Sequence, residues 1–142
     1  MATDDVRPRL ERFLAGKLGA GTKIISFDRS TEGFSQETFA LEVKTGRKKR
    51  GFVVKREPVA GLLEPYDLEP EFRVLHALSD DPLPSPPTPW FERDPQVLDR
   101  TFYVMERLPG EVPVPAVKAD GIGPFDDTER AALGPQVVRA LA

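Results

Sequence analysis

The chain is 142 residues long, 39% hydrophobic and 30% charged, with a net charge of −3, which suits one globular domain or one lobe of a larger protein. The acidic balance argues against non-specific nucleic-acid binding, which leaves a basic footprint, and no apolar run approaches the roughly 20 residues of a bilayer span. The absence of cysteine and a single histidine, His76, exclude disulfides, thiol nucleophiles, thiolate metal sites and imidazole clusters; with a start, MATDDVRPRL, that lacks a secretion-signal layout, the expected location is cytoplasmic.

From the N-terminus, Val6, Leu10, Phe13, Leu14 and Leu18 recur at helical spacing and Gly19 follows as a C-cap, which predicts an amphipathic helix over 4–18. TKIISFDRS (22–30) is β-branched at its centre and reads as a strand, and TEGFSQE (31–37) as a glycine-containing turn. In TFALEVK (38–44), Phe39, Leu41 and Val43 alternate with small or polar neighbours, the period of a half-buried strand. TGRKKR (45–50) is a turn and GFVVKR (51–56) the returning strand, which makes 38–56 a hairpin. After a loop at 57–66, DLEPEFRVLHALSDD (67–81) reads as a helix. Asp67 is its expected N-cap, Pro70 falls in the first turn, and Leu68, Phe72, Leu75 and Leu78 form its apolar stripe. The proline run PLPSPPTP (82–89) is an extended connector, and WFERD (90–94) and RTFYVMERL (100–108) are strands. PGEVPVP breaks regular structure, and 116–127 is loop-like. DTERAALGPQVVRALA (127–142) is helical in composition, with Gly134-Pro135 expected to bend or break it. The predicted fold is α+β: a five-stranded antiparallel sheet with one helix between strands three and four, a short N-terminal helix and a helical tail.

This order places Lys55 at the end of the third strand and Glu71 on the helix that follows. An ammonium on a long, flexible stem in a partly apolar cleft needs a fixed counter-charge to stay oriented. Glu71, one and two turns from Leu75 and Leu78, lies near the buried stripe, whereas Glu69 points toward water. Val53 shares the face of Lys55 by the strand period of two and offers an apolar floor beside it. Each residue also has a plainer reading. Lys55 alone is a strand-end lysine, Glu71 a solvated first-turn acid complementing the helix dipole, and Gly33 with Ser35 an ordinary turn. Arg47 to Arg50 form a solvated hairpin tip, and His76 packs at the helix edge. LAGKLGAGTK (14–23) lacks the G-x-x-x-x-G-K-[ST] pattern and is no P-loop.

The succession GFSQETFAL, FVVKREP, EFRVLHAL and LPSPPTPWFERDPQVLDRTFYVMERLPGEV, over about residues 20–115, resembles the N-terminal lobe of the aminoglycoside phosphotransferase-like enzymes, a kinase-like family. It is most similar to the branch that includes the kinase-like domains fused to acyl-CoA dehydrogenases. The resemblance implies that residues 1–108 form a nucleotide-binding lobe and that 109–142 hold the hinge, a linker and the start of a second lobe. It implies that Lys55 meets the phosphates of ATP and that Glu71 holds Lys55. Gly33 to Thr38, including Ser35 and Gln36, would form the loop over the phosphates. Val53 and the backbone of Met105, Glu106 and Arg107 would receive the adenine.

Two departures accompany the resemblance. Gln36 stands where the family often has Asn. The family's His-x-Asp catalytic loop, the Asn after it and its metal-binding Asp do not occur: His76 lies in LHAL, and Asp120, Asp126 and Asp127 lack that context. No catalytic or metal-binding residue is therefore assigned, and the chain alone is expected to be inactive and to bind ATP poorly. For the complete protein the resemblance implies an ATP-dependent phosphotransferase that uses magnesium and acts on a small hydroxyl-bearing acceptor. The alternative is a non-enzymatic α+β interaction module. In the tail, Ala131, Ala132, Leu133, Val137, Val138, Ala140 and Leu141 form an apolar set too large for a solvated terminus, so 128–142 is expected either to be disordered or to pack on another copy of the chain as a dimer.

Overall fold

A computed structural model of the protein describes residues 3–30, 36–58, 65–110 and 127–141. The chain divides into two compact units, Met1–Leu108 and Pro109–Ala142. The first is built on a sheet of five strands: β1 (Lys23–Ser30), β2 (Glu37–Thr45), β3 (Lys48–Arg56), β4 (Trp90–Glu92) and β5 (Phe102–Glu106). Their spatial order is β1-β2-β3-β5-β4, and every neighbouring pair is antiparallel.

The pleat sends alternate side chains to opposite faces. Phe39, Leu41, Val43, Phe52, Val54, Phe102 and Val104 form one buried face, closed by Val6, Leu10 and Leu14 of helix α1 (Thr3–Leu18). Burying each such side chain is worth about 1.5–3 kcal/mol, so this layer is the main core. The helix is also pinned by polar contacts to β1. Glu11 Oε2 accepts the Ile24 N–H at 2.8 Å, and Arg7 Nη2 donates to the Ile24 carbonyl at 2.9 Å. Those contacts occupy the Ile24 backbone groups on an edge strand, which would otherwise be open to another strand, and the ladder slips between Ile24 and Ser26 beside them.

The β2–β3 hairpin is tighter than the predicted six-residue turn. Thr45 pairs with Lys48 across a two-residue turn, Gly46-Arg47, with Gly46 at φ +60°, in the position where a II′-type hairpin turn favours glycine. Backbone pairing continues beyond the apolar core because the ladder bonds do not depend on side-chain burial. Lys48, Lys49 and Arg50 therefore lie in the strand, not in the turn.

Helix α2 (Glu69–Ala77) is shorter than predicted and tightens into a 3₁₀ turn at Leu78–Asp80 before Pro82. Asp67 is not its N-cap. Leu68 holds that place without a capping side chain, while Asp67 Oδ1 accepts the Glu69 N–H at 2.9 Å from one residue further out. Leu68 is buried, and Phe72 of α2 lies 4.9 Å from the Phe91 ring and 6.0 Å from the Tyr103 ring. Tyr103 follows Phe102 and precedes Val104, so α2 covers the sheet face opposite α1. A four-residue helix, α3 (Pro95–Leu98), was not predicted. Asp94 caps it by accepting the Gln96 N–H at 2.8 Å, and Pro95 opens it, an arrangement suited to a helix start.

At the end of β3, Arg56 is buried at 2% exposure and does not run out into solvent. Its Nε and Nη2 donate to Glu37 Oε2 at 2.8 and 2.5 Å, and its Nη1 to the Leu98 carbonyl at 3.2 Å. Arg29 Nη2 meets Glu37 Oε1 at 2.8 Å and Arg100 Nη2 meets Oε2 at 3.3 Å. One carboxylate thus joins the end of β1, the start of β2, the end of β3 and the segment entering β5.

In the second unit, α4 (Asp127–Leu141) is assigned as one helix through Gly134-Pro135, so the chain is not broken there. A proline removes only one i→i−4 bond and already has a helical φ, and next to it Gln136 Nε2 donates to the Ala132 carbonyl at 3.1 Å. Leu133, Val137 and Val138 are exposed. The predicted loop over 116–126 and most of the loop at 57–66 lie outside the described residues.

Candidate functional site

The face covered by α2 carries two consecutive rows across β2, β3 and β5. Register places Thr38, Lys55 and Tyr103 side by side in one row, and Ala40, Val53 and Met105 in the next. A polar row that carries Lys55 and an apolar row are therefore one side-chain repeat apart, about 7 Å along the strand. In the following row Gly51 lies against Arg107: a Cβ at Gly51 would come within 3.1 Å of Arg107 Cβ. Glycine leaves the space that the Arg107 side chain uses.

Lys55 Nζ lies 2.6 Å from Glu71 Oε1, with both side chains about one-third exposed (27% and 34%). Glu71 is the third residue of α2, where a carboxylate also complements the positive end of the helix. Two further donors reach it: Tyr103 Oη donates to Oε1 and Gln36 Nε2 to Oε2, each at 2.8 Å. Burial works to raise the Glu71 pKa, but the hydrogen bonds from Lys55, Gln36 and Tyr103 outweigh it and hold the carboxyl below its ordinary 4.5. For Tyr103, burial and then the adjacent Glu71 carboxylate push the phenol far above its ordinary 10.0. At neutral pH the arrangement is a charged carboxylate facing one ammonium and two neutral donors.

The structure thus brings Lys55, Glu71, Gln36 and Val53 together on one face. Gln36 reaches Glu71 through its side-chain amide. Gly33 and Ser35 lie outside the described residues. Of the backbone segment Met105 to Arg107, the Glu106 N–H donates to the Pro87 carbonyl at 2.8 Å and the Arg107 N–H to the Gly51 carbonyl at 2.9 Å. Those two amides are engaged within the chain and do not face an open site. The Glu106 side chain pairs with Arg50.

His76 sits away from this cluster. Its Nδ1 is 3.1 Å from the Thr88 carbonyl and its ring stacks on Phe72 at 5.4 Å, which ties α2 to the proline connector. Among the described residues no group of three or more His, Cys, Asp or Glu side chains is placed to hold a metal ion. Two constellations went unread in the sequence. Tyr103 carries a period-2 signal for the face opposite Phe102 and Val104, but nothing in the sequence states that β5 pairs with β3. Glu37 and its three arginines converge from four separate segments and leave no local pattern.

The profile of the phosphotransferase enzyme family matches residues 28–142, most of the chain. The chain belongs to the phosphotransferase enzyme family. Two curated relatives are much longer proteins. "Probable acyl-CoA dehydrogenase IBR3" of Arabidopsis thaliana is 33% identical over 82 residues, which is 56% of this chain and 10% of that protein. "Acyl-CoA dehydrogenase family member 10" of Mus musculus is 29% identical over 106 residues, which is 71% of this chain and 9% of that protein. The chain therefore corresponds to about a tenth of each relative's length. Among solved structures, a "putative aminoglycoside phosphotransferase" from Ralstonia eutropha superposes with a TM-score of 0.64 at 24% identity, covering 94% of this chain and 36% of that one. That likeness concerns the fold, and the fold of this phosphotransferase-family chain is a kinase-like N-terminal lobe.

Proposed function

We propose that the chain is the nucleotide-binding lobe of an ATP-dependent phosphotransferase that acts on a small hydroxyl-bearing molecule. The observation that supports this best is the Lys55–Glu71 pair beside an apolar row. The ammonium has three donors and gives one to Glu71, so phosphate oxygens suit the remaining two. Ala40, Val53 and Met105, one repeat away, suit the flat apolar face of a purine. ATP fits this donor set; magnesium finds no ligand cluster among the described residues, and its ligands would come from elsewhere in the complete enzyme. When bound, ATP with magnesium supplies the transferable phosphoryl group.

In this reading Lys55 orients the phosphates, Glu71 orients Lys55, and Val53 and Met105 receive the base. Because the Glu106 and Arg107 amides are engaged, an adenine edge at this segment would be read by other backbone groups. The sequence contains no His-x-Asp motif to activate an acceptor, so the lobe serves positioning rather than proton transfer. Among the described residues no helix is long and apolar enough to cross a membrane.

Titrating the chain with ATP·Mg and with adenosine, each followed by NMR shifts, tests the proposal. ATP should bind more tightly than adenosine, with an affinity of about millimolar order or weaker. Lys55→Ala should erase that preference. Equal binding of the two ligands by the wild-type chain would point to the interaction-module reading.

A further inference from the structure

We propose that Tyr103 is a positioning residue for the phosphate lysine, seating Glu71 in its inward place independently of Lys55. The inference rests on the proposed nucleotide-binding role and names a device that serves it. Tyr103 is fully buried, at 0% exposure, and stands directly across the β3–β5 ladder from Lys55. The Phe72 ring of α2 lies 6.0 Å away, and the hydroxyl donates to Glu71 Oε1 at 2.8 Å. Lys55 donates to the same oxygen at 2.6 Å, and Gln36 takes Oε2 at 2.8 Å.

The chemistry of the three donors differs in a way that matters. Lys55 keeps one donor on Glu71 and turns the other two to phosphate oxygens when a nucleotide arrives, so its charge is shared between two partners at that moment. Tyr103 and Gln36 do not change partners. Being neutral, they fix the carboxylate without cancelling its charge, which stays available to attract the ammonium. A second cation in place of Tyr103 would hold Glu71 equally well but compete with Lys55 for its charge. Moving α2 outward would leave the Tyr103 hydroxyl buried without its partner, so the phenol also resists that motion. Tyr103 and Gln36 thus hold Glu71 in place, and Lys55 is the member whose charge is also drawn to the phosphates.

The test uses the 142-residue chain with two readouts: amide hydrogen exchange across α2, and the ratio of ATP to adenosine affinity by NMR. Tyr103→Phe, which keeps the ring, should speed exchange in α2 about tenfold and lower the ATP-to-adenosine ratio. Gln36→Leu, at the rim of the fold, should move both readouts in the same direction and guards against a variant that fails to fold. Lys55→Met should abolish the ratio and leave α2 exchange unchanged. If Lys55→Met loosens α2 as much as Tyr103→Phe, the ion pair seats the helix and the proposal is overturned. Equal weakening of ATP and adenosine in Tyr103→Phe would also overturn it, because a general packing defect acts on both ligands alike. A wild-type chain with no preference for ATP removes the nucleotide reading and this role with it, even where Tyr103→Phe loosens α2.

Discussion

Glu71 gathers three donors on two oxygens, and its ionisation is therefore linked to folding. Its pKa in the folded chain lies below the ordinary 4.5, so the stabilisation it contributes is present above that value and is lost as pH falls through the depressed one. Urea unfolding at pH 7 and again at about pH 3 should show a smaller loss of stability in Glu71→Gln than in the wild type; equal losses would mean the carboxylate is not held in this way. Tyr103 has the opposite sign. Its phenol is pushed above 10.0 by burial and by Glu71, so its contribution is complete below that value and fades as pH rises toward the raised one. Ultraviolet titration should find a phenol that ionises only as the protein unfolds in base, and Tyr103→Phe should remove that step. At this scale Lys55, Glu71 and Val53 were legible because facing follows from local periods. Gln36 was legible as a loop residue but not as a ligand of Glu71, since that contact spans two elements.

Among the elements, the hairpin and the four-segment junction at Glu37 make separate demands. Glu37 faces Arg56, whose side chain is 3% exposed, together with Arg29 and Arg100. Removing one partner of a buried ionic cluster leaves the others uncompensated and costs about 3–5 kcal/mol. Glu37→Ala is therefore expected to lower the free energy of unfolding by that amount, read from urea unfolding curves, whereas Arg50→Ala, which breaks the exposed pair with Glu106, should cost about 1 kcal/mol or less. Similar losses in the two variants would show that the cluster is not buried in solution. Gly46, at φ +60°, should tolerate no side chain freely: Gly46→Ala is expected to cost about 1–2 kcal/mol, read by the same unfolding curves. The α3 helix has a usable sign in Asp94-Pro95, a capping residue followed by a proline at the first helical position. Extension of β3 to Lys48 left none, because a polar segment pairs through its backbone alone.

For the whole molecule, the family relationship and the fold show a phosphotransferase-family chain with a kinase-like lobe, and the proposed reading gives that lobe a nucleotide to position. The purified chain is expected to show no phosphoryl transfer from ATP to small alcohols. Turnover that disappears in Lys55→Ala would demonstrate a catalytic group within these 142 residues. Helix α4 presents Leu133, Val137 and Val138 to solvent at 38%, 55% and 67% exposure. Covering a Val or Leu side chain is worth about 1.5–3 kcal/mol, which favours association of α4 with a second copy. Light scattering should find a dimer that Val137→Asp converts to a monomer; a wild-type monomer at all accessible concentrations would refute it.

The sequence by itself determined what depends on neighbours in the chain. A 3.6-residue period made α1, a two-residue period put Lys55 and Val53 on one face and Val54 on the other, and the order of elements set Glu71 on the helix after β3. Tertiary structure decided which strands lie side by side. Insertion of β5 between β3 and β4 brought Tyr103 across from Lys55 and Met105 across from Val53, and closure of the sheet under α1 drew Arg29, Arg56 and Arg100 onto Glu37. The physical reason is that a strand's period fixes the direction of its side chains, whereas its partner and register are chosen by the packing of the whole core.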